Sequence, residues 1–288
     1  MAEWNPVPEE VIHHIDEVIY MSDTLALGEI TGDGLIQFER LNLKINNVAG
    51  SGVNFTLGQF RVPFGIWSDY SSHRNFTTTK NSYIVNGFAL KKIELGAMVG
   101  KTFENGVTVR SAIVHGRKGR TSPLFRADND DKFDWVSNIN YTNNKLSIGM
   151  SSYFSELNFS NRIAVGFDWL LKFNKLSVSG ELVYQNNNTP EMIYETVSTN
   201  VPNLNSYAGY LQYDYAISPQ IHFYGMYDSW ALRVDNQLVN APTAKLFHGF
   251  RYYINNNLRW TVLEYGYMLH NDFDKGRNHL STQIEVTF

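Results

Sequence analysis

The sequence predicts an all-β protein, a closed antiparallel up-and-down transmembrane β-barrel of about fourteen strands, and three observations carry that expectation. Runs of about ten residues alternate between apolar and polar side chains, longer than the ordinary soluble strand and long enough to cross a bilayer at a tilt. The runs are joined in pairs by very short turns, and the pairs by long links, so short and long connections alternate along the chain. Composition agrees: of 288 residues, 14% are aromatic and only 18% charged, against about 25% charged in soluble domains. No apolar run is long enough for a transmembrane helix.

The first 23 residues stand apart from this rhythm. Pro6, Pro8, Glu9 and Glu10 give an irregular start. Val11, Ile12, Ile15, Val18 and Ile19 sit three and four apart, which fits a short amphipathic helix, while Ile15, Glu17 and Ile19 fit a strand. Residues 1–23 are therefore set apart as an N-terminal segment and 24–288 as the barrel, with twelve and sixteen strands as alternatives because 11–31 reads both ways. The start Met1-Ala2-Glu3-Trp4-Asn5-Pro6 has neither the basic residues nor the apolar stretch of a secretory leader. An exported barrel with this start is expected to be a mature or engineered chain whose leader has been removed.

From residue 24 the hairpins follow in order. Leu25–Thr31 and Leu35–Ile45 flank the turn signal Gly32-Asp33-Gly34, and a Gly-rich turn leads to Val53–Val62. Further hairpins span 95–115 around Glu104-Asn105-Gly106, 133–154 around Asn143-Asn144, and 163–184 around Asn174-Lys175. Two more span 207–230 around Ser218-Pro219-Gln220 and 245–269 around Asn255-Asn256-Asn257. The links 63–94, 116–132, 155–162, 185–206, 231–244 and 270–277 are expected as long loops on one side. In the last strand Leu280, Thr282, Ile284, Val286 and Phe288 share one face, with His279, Ser281, Gln283, Glu285 and Thr287 on the other. A soluble sandwich would alternate in the same way, but its loops do not sort by length, and so many ten-residue apolar faces would need a partner sheet of equal size.

The stretch Leu57-Gly58-Gln59-Phe60-Arg61-Val62-Pro63-Phe64-Gly65-Ile66-Trp67 resembles a rim motif of porin-like bacterial outer-membrane proteins, including the phosphate-selective porin type. The terminal strand ending on Phe288 resembles the closing strand of outer-membrane barrels. The resemblance implies a bacterial outer-membrane location and a pore. The chain is shorter than that family and lacks much of its N-terminal region, so no solute is implied. In physical terms Pro63 removes a ladder donor and ends the strand, Gly65 permits a sharp turn, and Phe64 and Trp67 are candidates for anchors at the headgroup level, with Phe60 on the same motif.

Candidate pore-lining residues follow from alternation. Arg40, Lys44, Arg110, Lys172, Lys245 and Arg251 are the basic side; Asp134, Asp168, Glu181, Asp214, Asp228, Glu264 and Glu285 are the acidic side. Arg or Lys facing lipid near the midplane would cost about 2–4 kcal/mol, so these side chains are expected to face a lumen. The near balance of sign argues against a strongly anion-selective ladder, and each charge taken singly serves equally well as plain solvation of the wall. The link 63–94, which carries Arg74 and Lys80 together with Phe76, Tyr83 and Phe88, is the candidate constriction folded into the lumen. The basic link 116–132 is a candidate for lipopolysaccharide phosphates or for drawing anions to the mouth.

Other chemistry finds little support. The chain has no cysteine, which excludes disulfides and thiolate metal sites. His13 and His14 are adjacent, so their side chains point apart and do not chelate one ion. No cofactor motif is present, and a net charge of -4 argues against a nucleic-acid partner. His279 and Ser281 share a face as barrel lipid hydrolases require, but Asn-Gly does not follow the Ser; Asp228, Asp235, His248 and His270 are the candidates for a rim protease. The expectation is a non-enzymatic porin, monomeric or trimeric, set in outer-membrane lipid and lipopolysaccharide and passing small hydrophilic solutes or ions. A structural or partner-binding envelope barrel with a plugged lumen is the alternative, and a barrel hydrolase the third reading.

Overall fold

The computed structural model describes residues 19–24, 40–66, 93–115, 133–157, 160–187, 204–234, 237–255, 258–269 and 277–286. They form fourteen strands: β1 Ile19–Thr24, β2 Arg40–Ile45, β3 Val53–Arg61, β4 Ile93–Thr102, β5 Val107–Val114, β6 Asp134–Thr142 and β7 Leu146–Leu157, then β8 Ser160–Lys172, β9 Leu176–Asn187, β10 Leu204–Ala216, β11 Ile221–Val234, β12 Gln237–Asn255, β13 Leu258–Leu269 and β14 Arg277–Val286. They make one sheet in sequence order, each strand antiparallel to the next. The up-and-down order predicted from the hairpin rhythm is thus present as a single sheet. Among the described residues no pairing joins β14 back to β1.

The short turns fall where the sequence places them. Gly106 adopts a positive φ of 85° in the turn between β4 and β5, and Asn143 Oδ1 accepts the backbone N–H groups of Lys145 and Leu146 between β6 and β7. Ser218 Oγ does the same for Gln220 and Ile221 between β10 and β11.

Three boundaries differ from the sequence reading. Among the described residues the sheet is present from Ile19, before position 24: Thr24 pairs with Arg40, and the Gly32-Asp33-Gly34 signal lies within residues 25–39, outside the described set. Ladder pairing with β2 decides the helix-or-strand ambiguity of Ile15–Ile19 at its last residue, because a segment this short gains little from helix formation alone. The expected loop 155–162 is mostly strand, since Leu157 pairs with Ser160. The described residues of the expected loop 231–244 are strand as well, with Val234 paired to Gln237. Both segments are polar or broken in pattern, and polarity marks the end of the apolar band rather than the end of the ladder.

The two faces separate by medium. Large apolar side chains point outward and remain exposed, among them Met150 at 63%, Trp135 at 57% and Leu182 at 55%. The inner face holds buried polar groups and a smaller apolar cluster. On β13 a bulge between Thr261 and Glu264 places Val262 and Leu263 both outside and keeps Thr261 and Glu264 buried. An exposed apolar wall of this extent is stable only against hydrocarbon. We expect Met150→Arg to destabilise the protein in lipid vesicles by about 2–4 kcal/mol, measured by denaturant unfolding, and Met150→Leu to leave it within about 1 kcal/mol.

Candidate pore wall and constriction

Cross-strand partners stand side by side on one face, so the register arranges the inward residues in rows around the sheet. One row runs Asp168, Glu181, Tyr210, Asp228, Lys245 across β8 to β12. All five are buried, and Lys245 Nζ lies 3.8 Å from Asp228 Oδ2. A second row, nearer the short turns, runs Asp214, Tyr224, Gly249, Glu264, Ser281 across β10 to β14. The Tyr224 ring lies across Gly249, where a Cβ would stand 2.6 Å from the phenol oxygen. This lets the hydroxyl donate to Glu264 Oε2 at 2.9 Å, while Ser281 Oγ donates to Oε1 at 3.4 Å. Beside them His222 Nδ1 lies 2.5 Å from Asp214 Oδ1, and the Arg251 guanidinium sits 4.8 Å from the Tyr224 ring centre and 3.9 Å from Asp214 Oδ2.

The wall is tied to the start of the longest link. Arg110 Nη2 donates to Asn138 Oδ1 at 2.8 Å, Asn138 Nδ2 donates to Ser151 Oγ at 3.0 Å, and the Gly65 N–H donates to the same Ser151 Oγ at 2.9 Å. Gly65 has φ +67°, and the Glu181 carboxylate occupies the space its Cβ would fill. Phe64 lies against Gly166 on β8. Phe60, Val62, Phe64 and Ile66 form one buried cluster with Val114, Val136, Tyr153, Ala164 and Val183 of the inner wall. Residues 62–66 thus turn inward against β5 to β9. The remainder of 63–94 up to residue 92, with Arg74 and Lys80, lies outside the described residues.

The other sequence-predicted residues divide plainly. Asp134, Asp168, Glu181, Asp228 and Arg251 are buried and face inward, and Asp134 accepts the Tyr153 hydroxyl. Arg110 and Asp214 are half-buried; Lys44 and Lys172 are exposed near the short turns. Arg40 and Glu285 lie on described strands, but their side chains lie outside the described set, as do Trp67, Phe288 and the basic link 116–132. Phe60 and Phe64 are corrected: they are buried at 3% and 7% inside the sheet rather than anchored at the headgroup level. Residues 59–66 are buried at every position, odd and even alike, and the strand ends at Arg61, so alternation alone gave no sign of the inward turn. The inward charge is also less balanced than the alternation suggests. Among the described buried residues Glu94, Asp134, Asp168, Glu181, Asp228 and Glu264 outnumber Arg61, Lys245 and Arg251.

Among the described residues the candidate enzyme groups are not brought together. Asp228 faces inward, while His248 shares the outer face with its contacts Tyr213, at 3.0 Å to the hydroxyl, and Phe223. Ser281 is engaged with Glu264, and the His279 side chain, Asp235 and His270 lie outside the described residues. No group of three or more metal-ligating side chains occurs among the described residues.

No family model and no curated protein matches this sequence. Solved structures do resemble it. An anion-selective porin from Comamonas acidovorans aligns at 10% identity and TM-score 0.70 over 94% of this chain and 84% of its own. The outer membrane channel DcaP of Acinetobacter baumannii aligns at 13% identity and TM-score 0.64 over 98% and 81%. OmpT, an outer-membrane protein of Vibrio cholerae, aligns at 10% identity and TM-score 0.59 over 86% and 78%. At such identities the likeness establishes the fold, a porin-like β-barrel architecture. Tyr224→Phe is expected to cost about 1–3 kcal/mol in denaturant unfolding from vesicles, by leaving a buried Glu264 oxygen without its phenol donor, and Ser281→Ala to cost less.

Proposed function

We propose that the chain is a bacterial outer-membrane porin. It closes as a barrel by pairing β14 with β1 and passes small hydrophilic solutes or ions through a lumen narrowed by the 62–66 segment and the link that follows it. The observation that carries the reading is the division of faces: rows of charged and hydroxyl side chains inward, a continuous apolar wall outward. Closure follows from the solvent, because an open sheet edge in hydrocarbon leaves a row of backbone groups unpaired at several kcal/mol each. The porin fold of the neighbours supports the same reading.

Selection in this account is weak and mainly by size. The described wall carries an excess of carboxylates, which favours cations, and the basic links at the mouth oppose it. The barrel's surroundings are outer-membrane lipid and lipopolysaccharide, with a monomer or trimer as the assembly. It needs no cofactor and catalyses no reaction. The buried apolar cluster around Phe64 favours the second reading, a plugged structural or partner-binding barrel, and conductance separates the two.

Purified protein in a planar bilayer is expected to give stepwise currents, with a reversal potential in a salt gradient that shows a small cation preference. Asp228→Asn is expected to move that potential toward anions. Gly65→Val, which forces a side chain against Glu181 at a positive φ, is expected to change the step size. A silent bilayer with folded protein points to the plugged barrel instead. No esterase or protease activity is expected from the wild type.

A further inference from the structure

The outer wall is not uniformly bulky. Where β8 to β11 meet, Gly209, Ser229 and Ala231 face outward side by side and floor a groove of about 460 Å³, within the roughly 300–1,000 Å³ typical of ligand clefts. Leu182, Phe167 and Tyr207 wall it. At its end nearest the long links stands a polar crown. Arg233 is exposed and holds its guanidinium 5.5 Å from the Tyr207 ring centre, and Tyr207 packs on Tyr184 with centroids 5.1 Å apart. The Tyr184 hydroxyl and Asn186 Nδ2 both donate to Asn205 Oδ1, at 2.8 and 3.0 Å.

Read from the long-link end toward the midplane, the order is cation, amide and phenol groups, then a channel with no charged side chain among its described lining residues. Tyrosine rings belong at the headgroup level of a bilayer, and a cation beside them pairs with an anionic head. The long links of outer-membrane barrels face outward. We propose that this groove is a binding site for an outer-leaflet phosphorylated glycolipid, the lipid A portion of lipopolysaccharide, with one acyl chain in the groove and a phosphate on Arg233. The proposal rests on the outer-membrane reading above. The complement of a cation over an apolar slot is a headgroup with a tail. A second copy of this chain would instead meet the bulky walls.

The test is native mass spectrometry of the detergent-purified full chain titrated with diphosphorylated lipid A, and separately with the same lipid freed of phosphate. The expected result is one bound lipid A that survives activation, with affinity falling about tenfold or more in Arg233→Ala and for the dephosphorylated lipid. Ser229→Leu and Gly209→Leu, which fill the groove and leave the cation, are expected to weaken binding as well; two variants guard against one failing to fold. Lys175→Ala, at the short-turn end, is expected to bind as wild type. Equal binding by Arg233→Ala and wild type, or by both lipids, overturns the site, as does a dimer or trimer mass that Ser229→Leu abolishes, which would assign the groove to a second copy. Bilayer conductance is recorded on the same preparations. Conducting protein without lipid A binding sinks this site alone, whereas protein that stays monodisperse without detergent sinks the barrel reading beneath it.

Discussion

Hydrocarbon offers no partner for a backbone N–H or C=O, and each one left unpaired there costs several kcal/mol. The rest of this structure depends on that constraint. Because every described strand takes its neighbour in sequence as its neighbour in space, each ladder forms from a local hairpin, and the chain never needs a crossover. The same constraint explains why strands run past the apolar band, as β12 does over 19 residues. Pairing continues into the aqueous zone because the ladder is already in register. Side-chain period two then divides the two media, and bulges adjust its phase, as on β13, where Val262 and Leu263 would otherwise conflict, and where β11 meets β12.

The inside follows a different economy. A wall that is polar throughout would hold water; this one is polar in rows and apolar in a patch. The patch lies on β5 to β9, where Phe60 to Ile66 turn inward, and the polar rows lie on β8 to β14. The hydrogen-bonded path from Arg110 through Asn138 and Ser151 to the Gly65 N–H fastens the turned-in segment to the wall. Gly65 is required there twice, by its positive φ and by the Glu181 carboxylate in its Cβ position. The interior thus couples the entrance of the longest link to one of the carboxylate rows, which is why that segment, rather than any single charge, defines the narrow part of the proposed pore.

Much of the fold was legible in the sequence because a strand between two media writes both faces into its residues. The hairpins from Ile93 onward, their turns and the inward charges Asp134, Asp168, Glu181, Asp228 and Arg251 could be read from alternation alone. What failed to show did so for physical reasons. Ile15–Ile19 satisfies both helical and strand spacing, and at Ile19 only the partner β2 decides. The segments 155–162 and 231–244 look like loops because outside the bilayer a paired strand has no need of apolar residues. Phe64 looks like an interfacial anchor because an aromatic beside Pro and Gly is equally suited to a rim or to an inward turn, and its burial depends on Gly166, about a hundred residues away in sequence. The pairing of Tyr224 with Glu264 across Gly249 was beyond reach for the same reason: it needs the register of three strands.

The central claim is that lipid covers one face of these strands and water or protein the other. The chain has no cysteine, so single substitutions from Leu211 to Ala216 on β10 can each carry a polarity-sensitive fluorophore in lipid vesicles. The account predicts strict alternation: blue-shifted emission, quenched by lipid-borne nitroxide, at 211, 213 and 215, and neither property at 212, 214 and 216. Uniform exposure to aqueous quencher along the series, or alternation of the opposite phase, would contradict it.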